Sequence, residues 1–133
     1  MKPDPQDQNI NSIFFDPPTF SWLDARAFCQ ASQPLRNGDL ASIPDQGTND
    51  LLSSLTSYTS AMTGGYRKDD GKFVWSDGTP FEFENWRPSE PNNGFGSGTE
   101  KYIAMENGQW NDIGGTVESF LCQTKGKKLY FDQ

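Results

Sequence analysis

The sequence predicts a single α+β domain. Two segments with helical spacing of apolar residues fall in the first half, and short apolar runs broken by glycine, asparagine and proline fill the second. The chain has 133 residues, room for one modest core and too little for two ordinary domains. Apolar residues make up 33% of it and aromatic residues 14%, so the core is small in residue number and rich in large rings.

In chain order, residues 1–12, MKPDPQDQNINS, read as a flexible leader. They are polar, with two prolines and no apolar stretch of the signal-peptide kind, a start that fits a processed secreted chain and an intracellular one alike. Ile13-Phe14-Phe15 reads as a short strand ended by Asp16-Pro17-Pro18. Thr19 or Ser21 caps a helix from about Trp22 to Ala31 with Trp22, Leu23, Ala25, Ala27 and Phe28 on one broad face. A turn at Leu35 to Asp39 leads to a strand, Leu40-Ala41-Ser42-Ile43. Asp45 to Thr48 precede a second helix, about Asn49 to Tyr58, with Leu51, Leu52 and Leu55 on one side. Phe73-Val74-Trp75 is a strand stopped by Ser76-Asp77-Gly78. Residues 79–100 show little alternation, and so long an irregular stretch inside a compact domain points to function. Tyr102 to Met105 and Ser119 to Gln123 are the last two strands read from the pattern, the domain runs over 13–125, and 126–133 form a tail.

Composition narrows the chemistry. The chain has no histidine, which excludes a Ser-His-Asp triad, a Cys-His pair and any histidine-bearing metal site. Its two cysteines, Cys29 and Cys122, are too few for a zinc ribbon or an iron–sulfur cluster. They form either one long-range bridge or two separate buried thiols. A bridge would close a loop of about 93 residues and contribute roughly 4 to 5 kcal/mol in the chain-entropy picture. With 11 basic and 18 acidic residues the net charge is -7, which argues against nucleic acid or an anionic membrane surface as partner. No run approaches the ~20 apolar residues of a membrane-spanning helix.

The segment Trp86-Arg87-Pro88-Ser89-Glu90-Pro91-Asn92-Asn93-Gly94-Phe95-Gly96-Ser97-Gly98-Thr99-Glu100, with Trp110-Asn111-Asp112 after it, concentrates oxygen donors. Three carboxylates, Glu90, Glu100 and Asp112, and several side-chain amides come from positions shaped by Gly and Pro. Hard oxygen donors of this kind suit Ca2+, which takes about six to eight of them, whereas zinc prefers His or Cys. The residues alone leave a solvated polar loop as the alternative.

Glu90-Pro91-Asn92 followed about twenty residues later by Trp110-Asn111-Asp112 resembles the calcium-site pair of the C-type lectin domain. Trp22-Leu23-Asp24-Ala25-Arg26-Ala27-Phe28-Cys29 resembles that family's first-helix motif, Gly38-Asp39-Leu40-Ala41-Ser42-Ile43 the strand after it, and Trp75-Ser76-Asp77-Gly78-Thr79-Pro80 with Asn85-Trp86 the approach to its long loop. The likeness covers roughly residues 13–125 and rests on several separate motifs in the right order. It implies two helices flanking small antiparallel sheets, with a long calcium-binding loop and a Cys29–Cys122 disulfide. It further implies a Ca2+ site made of Glu90, Asn92, Glu100, Asn111 and Asp112, which also contact the sugar, and a cis bond before Pro91. The Glu-Pro-Asn form goes in the family with mannose-type sugars, the Gln-Pro-Asp form with galactose. A hydroxyl that coordinates Ca2+ through one lone pair still donates its proton to a carboxylate and accepts from an amide. Glu90 and Glu100 would then be acceptors, and Asn92 and Asn111 donors.

The sequence departs from the family in several places. A second disulfide is usual near positions 102 and 115, where this chain has Tyr102 and Gly115, so the ion is expected to do more of the ordering of the loop. Met62-Thr63-Gly64 replaces the usual Trp-Ile-Gly, so that strand packs differently. An auxiliary calcium site is matched in part by Asp70 and Asn93, with Tyr66 where an acid is expected. Phe95 reads either as a loop ring folded onto the domain or as an apolar contact to a sugar. Trp75, Trp86 and Trp110 read as core, Trp110 anchoring the ligand strand; Asp69, Asp70, Glu82 and Glu84 read as a solvated face. Glu90 and Glu100, which the resemblance implies are held by metal, would not be free for glycoside hydrolysis. The expectation is a secreted, non-enzymatic lectin that binds mannose-type glycans on glycoproteins or cell surfaces through Ca2+, with single-site binding weak enough to call for homo-oligomers or other multivalency. A protein-binding lectin-like module and an ice-binding protein using the same loop are the alternatives.

Overall fold

A computed structural model describes residues 19–31, 38–56, 60–93 and 100–124 in full, and residues 10–14 by their backbone. The first nine residues of the expected leader, Tyr58, Phe95 and the tail at 126–133 lie outside the described residues. The elements run β1 (Ile10–Phe14), α1 (Trp22–Ala31), β2 (Gly38–Leu40), α2 (Gln46–Thr56), β3 (Ala61–Arg67), β4 (Phe73–Trp75), β5 (Tyr102–Glu106), β6 (Gln109–Ile113) and β7 (Ser119–Thr124). This is the expected α+β arrangement.

Boundaries differ from the sequence reading where a partner, rather than local hydrophobicity, sets the element. β1 starts at Ile10 instead of Ile13 because Ile10, Asn11 and Ser12 pair antiparallel with Gln123, Cys122 and Leu121 of β7. β2 is Gly38–Leu40 instead of 40–43, laddered onto the 122–124 end of β7. α2 begins at Gln46, three residues early, because Asp45 Oδ1 accepts the Thr48 N–H at 2.8 Å and caps the first turn. β6, which apolar alternation does not reveal, forms a five-pair hairpin with β5. Its turn residues Asn107 and Gly108 both have positive φ, 54° and 80°, as a tight two-residue hairpin turn requires.

The sheet has the order β1-β7-β3-β5-β6, with β2 added on β7 and β4 on β3. Cys29 of α1 and Cys122 of β7 form a disulfide across a separation of 93 residues, pinning the first helix to the strand at the centre of the β1, β2 and β3 contacts. Around it a core of Trp22, Leu40, Met62 and Phe120 is closed. A second core gathers Ile43, Leu52, Trp75, Ile103, Trp110 and Leu121. Met62, in the place of the family's tryptophan, is fully buried in the first of these. Among the described residues no helix is long and apolar enough to cross a membrane.

The second core carries the positioning of the loop. Buried Trp110 donates its Nε1–H to Asn49 Oδ1 at 2.7 Å, and Asn49 Nδ2 donates to the Gly108 carbonyl at 2.8 Å. Asn85 Nδ2 donates to the same carbonyl. Residues 85–87 run alongside β6, with Trp110 N–H on the Asn85 carbonyl at 3.0 Å and Arg87 N–H on the Trp110 carbonyl at 2.8 Å. The irregular segment is therefore laced to the strand that carries Asn111 and Asp112.

Asn49→Ala removes both hydrogen bonds and leaves the buried indole N–H unpaired. We expect it to cost about 2–4 kcal/mol, measured by urea unfolding of the oxidised protein. A cost under about 1 kcal/mol would show that Asn49 does not hold the hairpin.

Candidate functional site

The lacing of residues 85–87 to β6 is followed by a turn in which Glu90 N–H donates to the Arg87 carbonyl at 2.9 Å. Ser89 takes positive φ there, 75°, and the Glu90–Pro91 peptide is cis. The chain then passes directly over Asp112. The Asp112 carboxylate is fully buried, and Oδ1 accepts the Asn92 N–H at 3.0 Å. Oδ2 accepts the Asn93 N–H at 2.6 Å and Arg67 Nη2 at 2.7 Å. Asn92 Nδ2 donates to Glu90 Oε2 at 3.5 Å. Glu90, Asn92 and Asp112 thus meet, supplied by the loop and by β6.

The electrostatics of this corner are unbalanced on one side. Burial raises the Glu90 carboxyl above its ordinary pKa, and the neighbouring Asp112 carboxylate raises it further, against the pull of Arg87 and of the Asn92 amide. Arg87 Nη2 lies 3.9 Å from Glu90 Oε2, and its Nη1 lies 3.6 Å from Glu106. Glu90 Oε1 is buried without a hydrogen-bond partner, one of two such side-chain atoms among the described residues, the other being Trp75 Nε1. An unpaired carboxylate oxygen beside a second carboxylate is what a hard cation satisfies, and the donors here, carboxylate and amide oxygens, are of the type Ca2+ takes.

The other expected ligands are placed less directly. Glu100 donates its N–H to Asn93 Oδ1 at 3.3 Å and accepts Arg67 Nε on its carbonyl at 3.2 Å, so its backbone joins the site. Asn111 sits in β6 opposite Ala104, half-buried, and its side chain makes no hydrogen bond to the other four. Among the described residues no three acidic or cysteine side chains form a metal-type cluster. Asp70 is exposed and engaged with its own turn, accepting the Lys72 N–H at 2.9 Å, which lowers its pKa, with Lys68 at 3.7 Å. Tyr102, in the place of a family cysteine, stacks on Trp22 at 5.2 Å and 12°. Trp75 and Trp110 are buried and Trp86 packs against them.

Sequence reasoning missed two arginines. Arg67, 45 residues from Asp112 in the chain, carries no local signal of its role; only the pairing of β3 with β5 brings it there. Arg87 stands three residues before Glu90, a spacing that a turn brings together, and the motif reading assigns it no role.

The family description "Lectin C-type domain" matches residues 19–124. The chain is 37% identical over 113 residues to the low affinity immunoglobulin epsilon Fc receptor of Mus musculus, covering 83% of this chain and 33% of that protein. It is 35% identical over 118 residues to a lectin of Pleurodeles waltl, covering 80% of this chain and 65% of that one. The chain thus spans about a third and just under two thirds of these two relatives. Among solved structures, the cow C-type carbohydrate-recognition domain of CD23 in the presence of GlcNAc2Man3 oligosaccharide superposes with a TM-score of 0.70 at 28% identity, over 86% of this chain and 87% of that one. A calcium-independent type II antifreeze protein superposes with a TM-score of 0.70 at 23% identity, over 85% and 82% of the two chains, a likeness of fold alone. Motifs, fold and comparisons agree, and the chain belongs to the C-type lectin domain family.

Proposed function

We propose that this domain binds mannose-type sugars in a calcium-dependent way and performs no catalysis. The observation that carries the reading is the meeting of Glu90 and Asn92 over buried Asp112, with Glu90 Oε1 left unpaired. Glu90, Asn92, Glu100, Asn111 and Asp112 would hold Ca2+, which when bound supplies open coordination positions for two adjacent sugar hydroxyls. The side chains then set direction: carboxylates accept the hydroxyl protons and amide NH2 groups donate to the remaining lone pairs. The solved cow domain, obtained with a mannose-containing oligosaccharide, supports the same ligand class. The disulfide fits an oxidising, extracellular setting. Two hydroxyls make a small contact, so useful avidity would come from several copies on one surface.

A polypeptide ligand is the second reading, favoured by the mouse relative, whose name is that of an immunoglobulin receptor. A mannose-agarose column separates the two. Retention with calcium and release by EDTA are expected. Passage through the column with calcium present, or retention indifferent to EDTA, would remove the lectin reading.

Exchanging Glu90→Gln together with Asn92→Asp inverts a donor and an acceptor. With each hydrogen bond worth about 1 kcal/mol, the ratio of mannose to galactose affinity should fall by about thirtyfold, read by competition with the free sugars. An unchanged ratio would contradict the donor and acceptor roles.

A further inference from the structure

The expectation that the ion does more of the ordering of the loop, in place of a second disulfide, leaves Arg67 out of account. Its guanidinium links described residues on either side of 94–99, Glu100 directly and Asn92 and Asn93 through the Asp112 carboxylate. On the incoming side, Asn92 and Asn93 are held by the carboxylate of Asp112, and Arg67 Nη2 is bound to that same carboxylate at 2.7 Å. On the outgoing side, Arg67 Nε donates to the Glu100 carbonyl at 3.2 Å and the Arg67 N–H to the Lys101 carbonyl at 2.7 Å. The two ends also touch directly, through Glu100 N–H and Asn93 Oδ1 at 3.3 Å. The guanidinium lies 4.4 Å over the Phe73 ring, and the side chain is only 17% exposed. It is thus fixed in place by an aromatic face, a carbonyl and a buried carboxylate at once.

We propose that Arg67 is a built-in counter-ion of the binding loop. It neutralises buried Asp112 on its Oδ2 side and clips both ends of the loop together without any metal. Calcium then enters a corner already shaped, on the side where Glu90 Oε1 lacks a partner. A planar guanidinium suits this task because two of its N–H groups point to different acceptors along fixed directions, which an ammonium does not reproduce. The proposal deepens the calcium reading of the same site. Its first test uses neither calcium nor sugar, so the two fail separately.

The experiment compares the parent protein with Arg67→Met, which keeps a long apolar stem on Phe73, and Arg67→Lys, which keeps the charge. In EDTA, amide exchange at Asn92, Asn93 and Glu100 should speed up by about tenfold or more in Arg67→Met. Its Tm should fall by about 10 °C. Adding calcium should close more than half of that gap, because the uncovered Asp112 carboxylate recruits the ion in place of the guanidinium. Arg67→Lys should show partial loss of protection and a calcium response near that of the parent. If Arg67→Met does not fold, exchange in Arg67→Lys decides: no acceleration at the three amides overturns the proposal. Parent-like exchange in Arg67→Met overturns it as well. So does a Tm gap that calcium leaves unchanged while the parent responds to calcium, since that would mark Arg67 as packing alone. A parent whose Tm ignores calcium counts instead against the lectin reading, and exchange then judges Arg67 alone.

Discussion

A buried carboxylate at the end of one strand governs the corner of this domain that forms the candidate site. Asp112 is fully buried, and an unpaired charge in that position costs several kcal/mol. The chain meets the demand with two backbone amides from the loop and one guanidinium from β3. Removing one partner of such a pair commonly destabilises by about 3–5 kcal/mol, which is why the need of Asp112 for donors is strong enough to shape the loop. The loop crosses β6 where it does because Asn92 and Asn93 bring their N–H groups there. Glu90 is carried along to face Asp112, and its Oε1 has no hydrogen-bond partner among the described residues.

This corner depends in turn on the second core. Trp110 and Asp112 alternate with Asn111 along β6, so burial of the indole directs the Asp112 carboxylate inward as well. The indole is locked by Asn49 from α2, and the turn beside it by Asn49 and Asn85 together. α2, from the first half of the chain, therefore sets the height and register of the strand that carries Asp112. On the other flank, the disulfide ties α1 to β7, and buried Asp39 binds Arg26 and Ser76, a second inward-facing acid satisfied by an arginine from another element.

Much of this was legible in the sequence, and the parts that were not share a cause. α1 was readable to its ends because an apolar face and a capping residue lie within one segment. β4, β5 and β7 were readable because their apolar runs are bounded by turn residues. β1 and β2 were displaced because pairing with β7, not their own hydrophobicity, sets their limits. In the site, Glu90, Asn92 and Asp112 were found through motif order, and the structure brings those three together. Arg67 escaped because its partners are Glu100 and Asp112, 33 and 45 residues away, and a salt bridge across a sheet leaves no periodic trace. The net charge of -7 likewise conceals that buried Asp39 and Asp112 are each answered by an arginine at short range, while Glu90 is the one acid with a buried, unmet oxygen among the described residues.

On the proposed reading, loop, arginine and calcium converge on Asp112. Calorimetric titration of calcium into the metal-free protein tests it most directly, run in parallel on Asp112→Ala. Saturable binding is expected in the parent in the range of about 0.1–1 mM, as for extracellular calcium modules, and its loss in the variant. No saturable binding in the parent up to about 10 mM, or the same isotherm in both proteins, would contradict it.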